Sequence, residues 1–289
     1  MRLEAAQGEA GGPAGAGAAP APADGSPQLD LAFERGADGR TVLSRRVHRY
    51  PFHVTAPLRD GGAASRVVVQ SASGGLYGGE HVVQCIVAEE GADALLRFPS
   101  ATVVHAARAT RGTVQRATLV ARSGARLAWL PRPAILFPGA YLVQRTEVRV
   151  APGAVVVLTD GAMPHDPRDE RGPARSLLAE TVVRDLDGRL LALDRQRLDD
   201  AMLDAARPGA VGASRAFGTV WIVGALAADA SAACRARIAA DVDGRDGVRA
   251  GASALPNGCG LVVRIAARDG GALDAALERV AADAERVRR

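Results

Sequence analysis

Short runs of β character recur between turn signals along most of the chain, the pattern of strands with one face buried. The runs are Arg66 to Ser71, His81 to Ala88, Ala94 to Pro99, Thr113 to Arg122, Ala125 to Leu130, Tyr141 to Val150, Ala154 to Asp160, Leu177 to Arg184 and Arg189 to Leu198. Strands this regular predict a mainly β architecture. The final third changes character: Arg215 to Leu226 reads as a strand, Ala230 to Ala240 as a short helix, and Gly260 to Ala266 as a strand after the Asn257-Gly258 turn. Leu273, Leu277, Val280, Ala284 and Val287 share one helical face, with Asp274, Glu278, Arg279, Asp283 and Arg286 mostly off it. That amphipathic helix packs either on the β body, the commoner case, or on a partner.

A repeat emerges when the turn glycines are aligned. Val87-Ala88-Glu89-Glu90-Gly91-Ala92, Val120-Ala121-Arg122-Ser123-Gly124-Ala125 and Val150-Ala151-Pro152-Gly153-Ala154 each follow one strand candidate and precede another, with glycines 33 and 29 residues apart. Each unit reads as strand, tight turn, strand and longer return. Such units do not bury their faces alone, so stacking them predicts a β-helix-like or sandwich-like body.

Composition sets boundaries around this body. Residues 1 to 28 are dominated by Ala, Gly and Pro with neither helical nor strand period, which predicts a low-complexity tail. One domain follows over residues 29 to 289, its β body ending near residue 200 and a mixed part completing it. The chain is 48% hydrophobic and 24% charged, ordinary for a folded protein. No stretch approaches the roughly 18 to 20 apolar residues of a membrane span. The N-terminus has no apolar signal region, so secretion by that route is not expected. Cys85, Cys234 and Cys259 are spaced by 149 and 25 residues, which matches neither a disulfide framework nor a zinc cluster and fits a reducing cytoplasm.

Charge narrows the chemistry further. All 36 basic residues are Arg, which excludes a P-loop lysine, a Schiff-base lysine and a lysine general base within this chain. The net charge of +4 is spread among 32 interleaved acids, and ten aromatics offer little base stacking, so nucleic acid is not the expected partner.

The most unusual local sequence is Gly74-Gly75-Leu76-Tyr77-Gly78-Gly79-Glu80. A P-loop requires Gly-Lys-Ser/Thr where this chain has Gly79-Glu80-His81, and no Gly-x-Gly-x-x-Gly opens a helix. A glycine cluster between strands more often lets backbones approach closely. Among the histidines, His48 and His53 lie five apart around Pro51, and no helical His-x-x-x-His pair exists, so a permanent tetrahedral metal site is not expected. His165-Asp166 followed by Arg168-Asp169-Glu170-Arg171 reads either as a solvated loop or as a transient metal or partner contact. There is no Gly-x-Ser-x-Gly elbow, and Cys85 and Cys259 sit in apolar strand contexts that predict burial rather than activation.

Three motifs carry a family resemblance. Ser73-Gly74-Gly75-Leu76-Tyr77-Gly78-Gly79-Glu80 resembles the Pro-Gly-Gly-x-x-Gly-Gly-Asp signature of the urease accessory protein UreD (UreH) family. Leu95-Leu96-Arg97-Phe98-Pro99-Ser100-Ala101-Thr102 is similar to its Leu-Leu-Thr-x-Pro-Gly-Ala-Thr, and Trp129-Leu130-Pro131-Arg132-Pro133-Ala134-Ile135-Leu136-Phe137-Pro138-Gly139-Ala140 to its Trp-Leu-Pro-x-Glu-x-Ile-x-Phe-x-Gly-Ala. The resemblance runs from about Val42 to Asp200 and beyond that holds only in general character. Pro133 replaces the usual Glu, Val103 a common Lys and His105 a common Tyr, and Thr159-Asp160-Gly161 stands where many members carry Trp-Glu-Ile.

The resemblance implies a non-catalytic scaffold with a β-helix-like body and a few helices. It implies partners as well: UreF, the GTPase UreG held through UreF, and apo-urease, on which the assembly docks to deliver nickel through this chain as a conduit. No cofactor is then permanently bound, and Ni2+ is in transit. A conduit needs weak oxygen and imidazole stations, since a tight closed site traps the ion. Glu80, matching the signature acid, and Asp160, matching the later acid, are the first candidate stations, with His105 and His165 second. Two rival readings stay open on the residues alone: a β-solenoid carbohydrate-binding protein or hydrolase, and a stand-alone metallochaperone.

Overall fold

The computed structural model describes residues 25–58, 61–107, 112–168, 172–203, 211–226 and 228–287. Most of the low-complexity segment, residues 1–24, lies outside the described residues, as do 169–171 of the charged loop after His165.

The chain enters as an antiparallel pair, β1 (Leu29–Arg35) and β2 (Thr41–His48), followed by β3 (Phe52–Val54) and β4 (Ser65–Ser71). It then winds through about three solenoid turns. The first comprises β5 (His81–Ala88), β6 (Asp93–Arg97) and β7 (Thr102–Val104), the second β8 (Thr113–Ala121), β9 (Arg126–Leu130) and β10 (Ala134–Leu136). In the third, β11 (Tyr141–Val150) leads to β12 (Val155–Pro164), which continues unbroken onto the third face. A hairpin of β13 (Ser176–Asp185) and β14 (Leu190–Asp199) follows. The C-terminal part is β15 (Ala216–Val223), α1 (Ala228–Asp241), β16 (Val248–Ala254), β17 (Gly260–Ala267) and α2 (Gly270–Val287).

Among the described residues the strands form two facing sheets. The first has the order β14-β13-β11-β8-β5-β1-β2; the second runs β16-β17-β15-β12-β9-β6-β4-β3, with β10 and β7 branching from β12 to make the third face. The turns from first to second sheet are the glycine units. Gly91, Gly124 and Gly153 have φ of 64°, 63° and 74°, left-handed values that cost other residues energy, and each turn stacks on the next. Gly91 N–H donates to Ser123 O at 3.0 Å, and Ala151 N–H to Ala121 O at 2.9 Å. The glycine repeat is therefore the solenoid period.

Burial follows the alternation. Leu31, Phe33, Ile86, Leu119, Val148 and Leu158 are among those that fill the space between the sheets. A second core lies between the second sheet and the two helices, where Leu273, Leu277, Val280 and Ala284 of α2 are buried. Each of the larger side chains there contributes about 1.5–3 kcal/mol. The terminal helix thus packs on its own body, and both helices follow residue 200 as the sequence implies.

Strands β1, β2, β3, β7, β10 and β16 were not expected from the pattern. The reasons are local: β3, β7 and β10 are three residues long, and β2 is a sheet edge with most positions exposed, so neither length nor alternation marks them. Gln28, placed in the tail by composition, is buried against β5, donating to His81 O at 2.8 Å and accepting from Val83 N–H at 2.7 Å.

Candidate functional site

The inward face of the first sheet is apolar near the glycine turns and polar one step further in. Register aligns two rows across it. Gln115, Gln144, Ala179 and Gln196 form one; Gln84, Ala117, Thr146, Thr181 and Asp194 form the other. Opposite them the second sheet presents Trp129, Asp160, Thr219, Trp221 and Arg264. Of these, Gln115, Gln144, Thr146, Ala179, Thr181, Gln196, Trp129 and Asp160 line cavities that adjoin in series along the solenoid. An end compartment of about 40 Å³ is bounded by Pro51, Phe52, Val82, Gln115 and Trp129. It shares Gln115, Trp129 and Arg132 with a middle compartment of about 40 Å³, which in turn shares Gln144, Asp160 and Ala179 with a third of about 130 Å³. A 40 Å³ space holds about one to three waters.

Polar groups on and behind these walls are short of partners. Gln84 Oε1 and Nε2 and Trp129 Nε1 are buried with no hydrogen bond from the protein. Such groups cost about 1–3 kcal/mol each unless something in the cavity satisfies them. Gln144 Nε2 donates to Gln115 Oε1 at 3.0 Å, leaving the Gln144 carbonyl for another donor or a cation.

Asp160 is a carboxylate that lines both the middle and third compartments of this lumen. β12 carries it inward opposite Thr219 of β15, and Trp221 Nε1 donates to its Oδ2 at 3.3 Å. Burial pushes its carboxyl up to about 6; hydrogen bonds from Thr219 and Trp221 and the charge of Arg264 pull it down, and the Asp194 carboxylate adds to the rise. Arg264 is ion-paired to Asp194 and donates to Thr219 Oγ1 at 3.1 Å.

The other candidates lie elsewhere. Glu80 is buried beneath the glycine-rich turn, where its Oε2 accepts from Tyr77 N–H at 2.9 Å and its Oε1 has no partner. The turn itself is a close approach: a Cβ on Gly75 would stand 2.4 Å from Val103 O. Leu76 pairs with Val104, and this sets Tyr77, His105, Phe137 and His165 in consecutive register outside the third face. His105 stacks on Tyr77 with centroids 4.4 Å apart, and Phe137 stands between His105 and His165 at 5.5 and 5.9 Å. His105 Nε2 donates to Gly74 O at 3.1 Å. Of the four candidates only Asp160 faces the lumen, and among the described residues no group of three or more His, Cys, Asp or Glu is placed to hold a metal ion.

The remaining motif links the lumen to α2. Pro131 O accepts from Thr159 Oγ1 at 2.9 Å, and Arg132 is ion-paired to Asp274 and, at 3.0 Å, to Glu278. The cysteines are free thiols; Cys234 and Cys259 are buried and Cys85 is half-buried, and burial pushes all three up. The lumen residues Gln115 and Gln144 escaped sequence reasoning, yet each stands nine residues before its turn glycine, Gly124 or Gly153, so the repeat held the signal.

These features define a β-solenoid with a polar lumen between its sheets and two helices packed on the outer face of the second sheet. The family model for the UreD urease accessory protein matches residues 25–288. The chain is 39% identical over 257 residues to a urease accessory protein UreD of Methylorubrum extorquens, covering 88% of this chain and 85% of that one. It is 38% identical over 271 residues to one of Methylorubrum populi (93% and 90% covered) and 34% over 261 to one of Pseudomonas syringae pv. syringae (89% and 90%). The chain belongs to the UreD urease accessory protein family, as an accessory protein and not a catalyst. The match extends past residue 200, where the motifs had stopped, and it removes the carbohydrate-binding and hydrolase readings. No helix among the described residues is long and apolar enough to cross a membrane.

Proposed function

We propose that this chain is the scaffold and nickel conduit of urease maturation: it binds UreF, which holds the GTPase UreG, and the assembly docks on apo-urease so that Ni2+ passes through the lumen. The chain lacks lysine, so the GTPase P-loop belongs to another subunit. The observation that carries the reading is the polar lumen itself, a series of compartments crossing all the solenoid turns with amide, hydroxyl and carboxylate oxygens on its walls.

The donor set suits passage. Amide and hydroxyl oxygens are weak nickel ligands, and a carboxylate among them attracts the cation without closing a cage. Asp160 is the central station in this reading. Glu80 acts as a brace for the glycine-rich turn, and His105 and His165 lie on the outer surface as secondary contacts.

The test narrows the lumen without touching the outer surface. Ala179 lines both the middle and third compartments, so Ala179→Leu fills them. Nickel content and activity of urease matured with this variant should fall several-fold while co-purification with UreF, UreG and apo-urease persists. Full nickel loading by a folded, fully binding Ala179→Leu chain would refute the conduit.

A further inference from the structure

His48 closes β2 and His53 lies in β3, on either side of the Tyr50-Pro51 turn, and the fold brings their rings to a centroid distance of 5.3 Å at an interplanar angle of 85°. Two imidazoles sharing one divalent ion, with metal–nitrogen bonds of about 2.0–2.1 Å, have centroids about 5 Å apart. The pair therefore already stands at a chelating separation. His48 Nδ1 lies 3.3 Å from Phe52 O, so a proton on Nδ1 is held by that carbonyl and Nε2 is left with its lone pair free. A backbone carbonyl holding the second ring nitrogen is the usual support of a metal-binding imidazole.

Position gives the pair a purpose. His48 is in register with Leu29, which is in register with Gln84, so His48 begins the inward row that ends at Asp194. Pro51 and Phe52, between the two histidines, bound the end compartment of the lumen. His53 is exposed and His48 partly so, which leaves the pair open to solvent. The neighbouring cation Arg49 is turned away, donating to Ser26 Oγ.

We propose that His48 and His53 together form a two-imidazole landing site for a divalent transition metal ion, at the end of the lumen bounded by Pro51 and Phe52. The inference rests on the conduit reading for its purpose and on the ring geometry for its chemistry. Two imidazoles and several waters make an open site: imidazole suits Ni2+, and only two protein ligands let the ion leave. The site complements the interior, where the donors are oxygens and the carboxylate Asp160 lies further along the row of compartments.

The experiment is a competition titration of Ni2+ between a chromophoric chelator and the full chain. The wild type is compared with His48→Ala, His53→Ala, the double variant, and the exposed His81→Ala as control. Each single change should weaken the tightest site by about ten-fold or more, since even groups one shell removed from a metal are worth about 10–100-fold. The double variant should lose that site and the control should keep it. Equal nickel binding by wild type and double variant would overturn the proposal. The exposed His53→Gln serves the same test should the alanine double variant fail to fold: retained wild-type affinity overturns the site, and weakened affinity supports it. The conduit reading stands or falls separately. If Ala179→Leu blocks delivery while the histidine variants bind nickel normally, the landing site fails and the conduit survives. If the histidine variants lose nickel while Ala179→Leu delivers normally, the conduit fails and the binding site survives.

Discussion

Thr219 of β15 stands directly opposite Asp160 of β12, and its hydroxyl oxygen already accepts from Arg264 Nη1 and Gln196 Nε2, each at 3.1 Å. With both lone pairs engaged, the Thr219 proton is directed to the Asp160 carboxylate, matching the hydrogen bond that lowers that group. The same hydroxyl thereby links the lumen carboxylate to the Arg264–Asp194 ion pair on the far strands.

Asp160 should make stability depend on pH. Its folded value of about 6 lies above the ordinary carboxylate value, so the native state binds a proton more tightly than the unfolded chain does. Its favourable contribution is complete below about pH 4 and is lost as pH rises through about 6. Asp160→Asn, which carries no charge, should be more stable than wild type by about 1–3 kcal/mol at pH 7.5, with the advantage shrinking toward pH 4. Urea unfolding of both chains across this range is the measurement; a difference independent of pH would contradict the burial argument.

The glycine-rich turn should depend on Glu80 structurally. Glu80→Ala leaves Tyr77 N–H without its acceptor and should cost about 1–3 kcal/mol, whereas Glu80→Gln retains an acceptor and should cost less. Thermal denaturation ranks the two, and an alanine variant as stable as glutamine would remove the brace role.

Two glycines separate backbone strain from steric exclusion. Around a Cβ on Gly124 there is nothing within 4 Å, so Gly124→Ala should cost about 1 kcal/mol, from its positive φ alone. Gly75→Ala forces a Cβ to 2.4 Å from Val103 O and must displace the third-face ladder. It should therefore destabilise markedly more or prevent folding. Comparable stability of the two variants would show that Gly75 is not a required close approach.

The N-terminal boundary can be located by deletion. Removing residues 1–24 should leave stability and recovery with co-expressed UreF unchanged, because that segment has little side chain to pack. Removing residues 1–28 also removes Gln28 and both of its bonds to β5, and should lower stability by about 1–3 kcal/mol. Chemical denaturation of the two truncated chains decides between these boundaries.

Strand period, turn chemistry and helical amphipathicity are local properties, and the sequence determined them: the glycine period, the long strands from β5 to β14 and the apolar stripe of α2 were all legible. The three motifs were enough for the family. What tertiary structure decided is which polar residues meet. Gln84, Gln115, Gln144 and Asp194 are ordinary single polar positions in their strands, and only the strand register, parallel from β5 to β13 and antiparallel from β13 to β14, sets them in the two rows that cross the interior. Glu80 and Asp160 look alike in sequence, each an acid in a family motif. Backbone pairing sends Asp160 into the lumen and turns Glu80 back on its own loop. His48 and His53 gave no helical metal spacing because their proximity comes from a turn between two strands, and the distance between side chains across a turn is set by its fold, not by counting residues. The short third-face strands were invisible for the same reason: three residues hold too little pattern, and their hydrogen bonds come from rungs about 30 residues away in a stack that the folded chain alone creates.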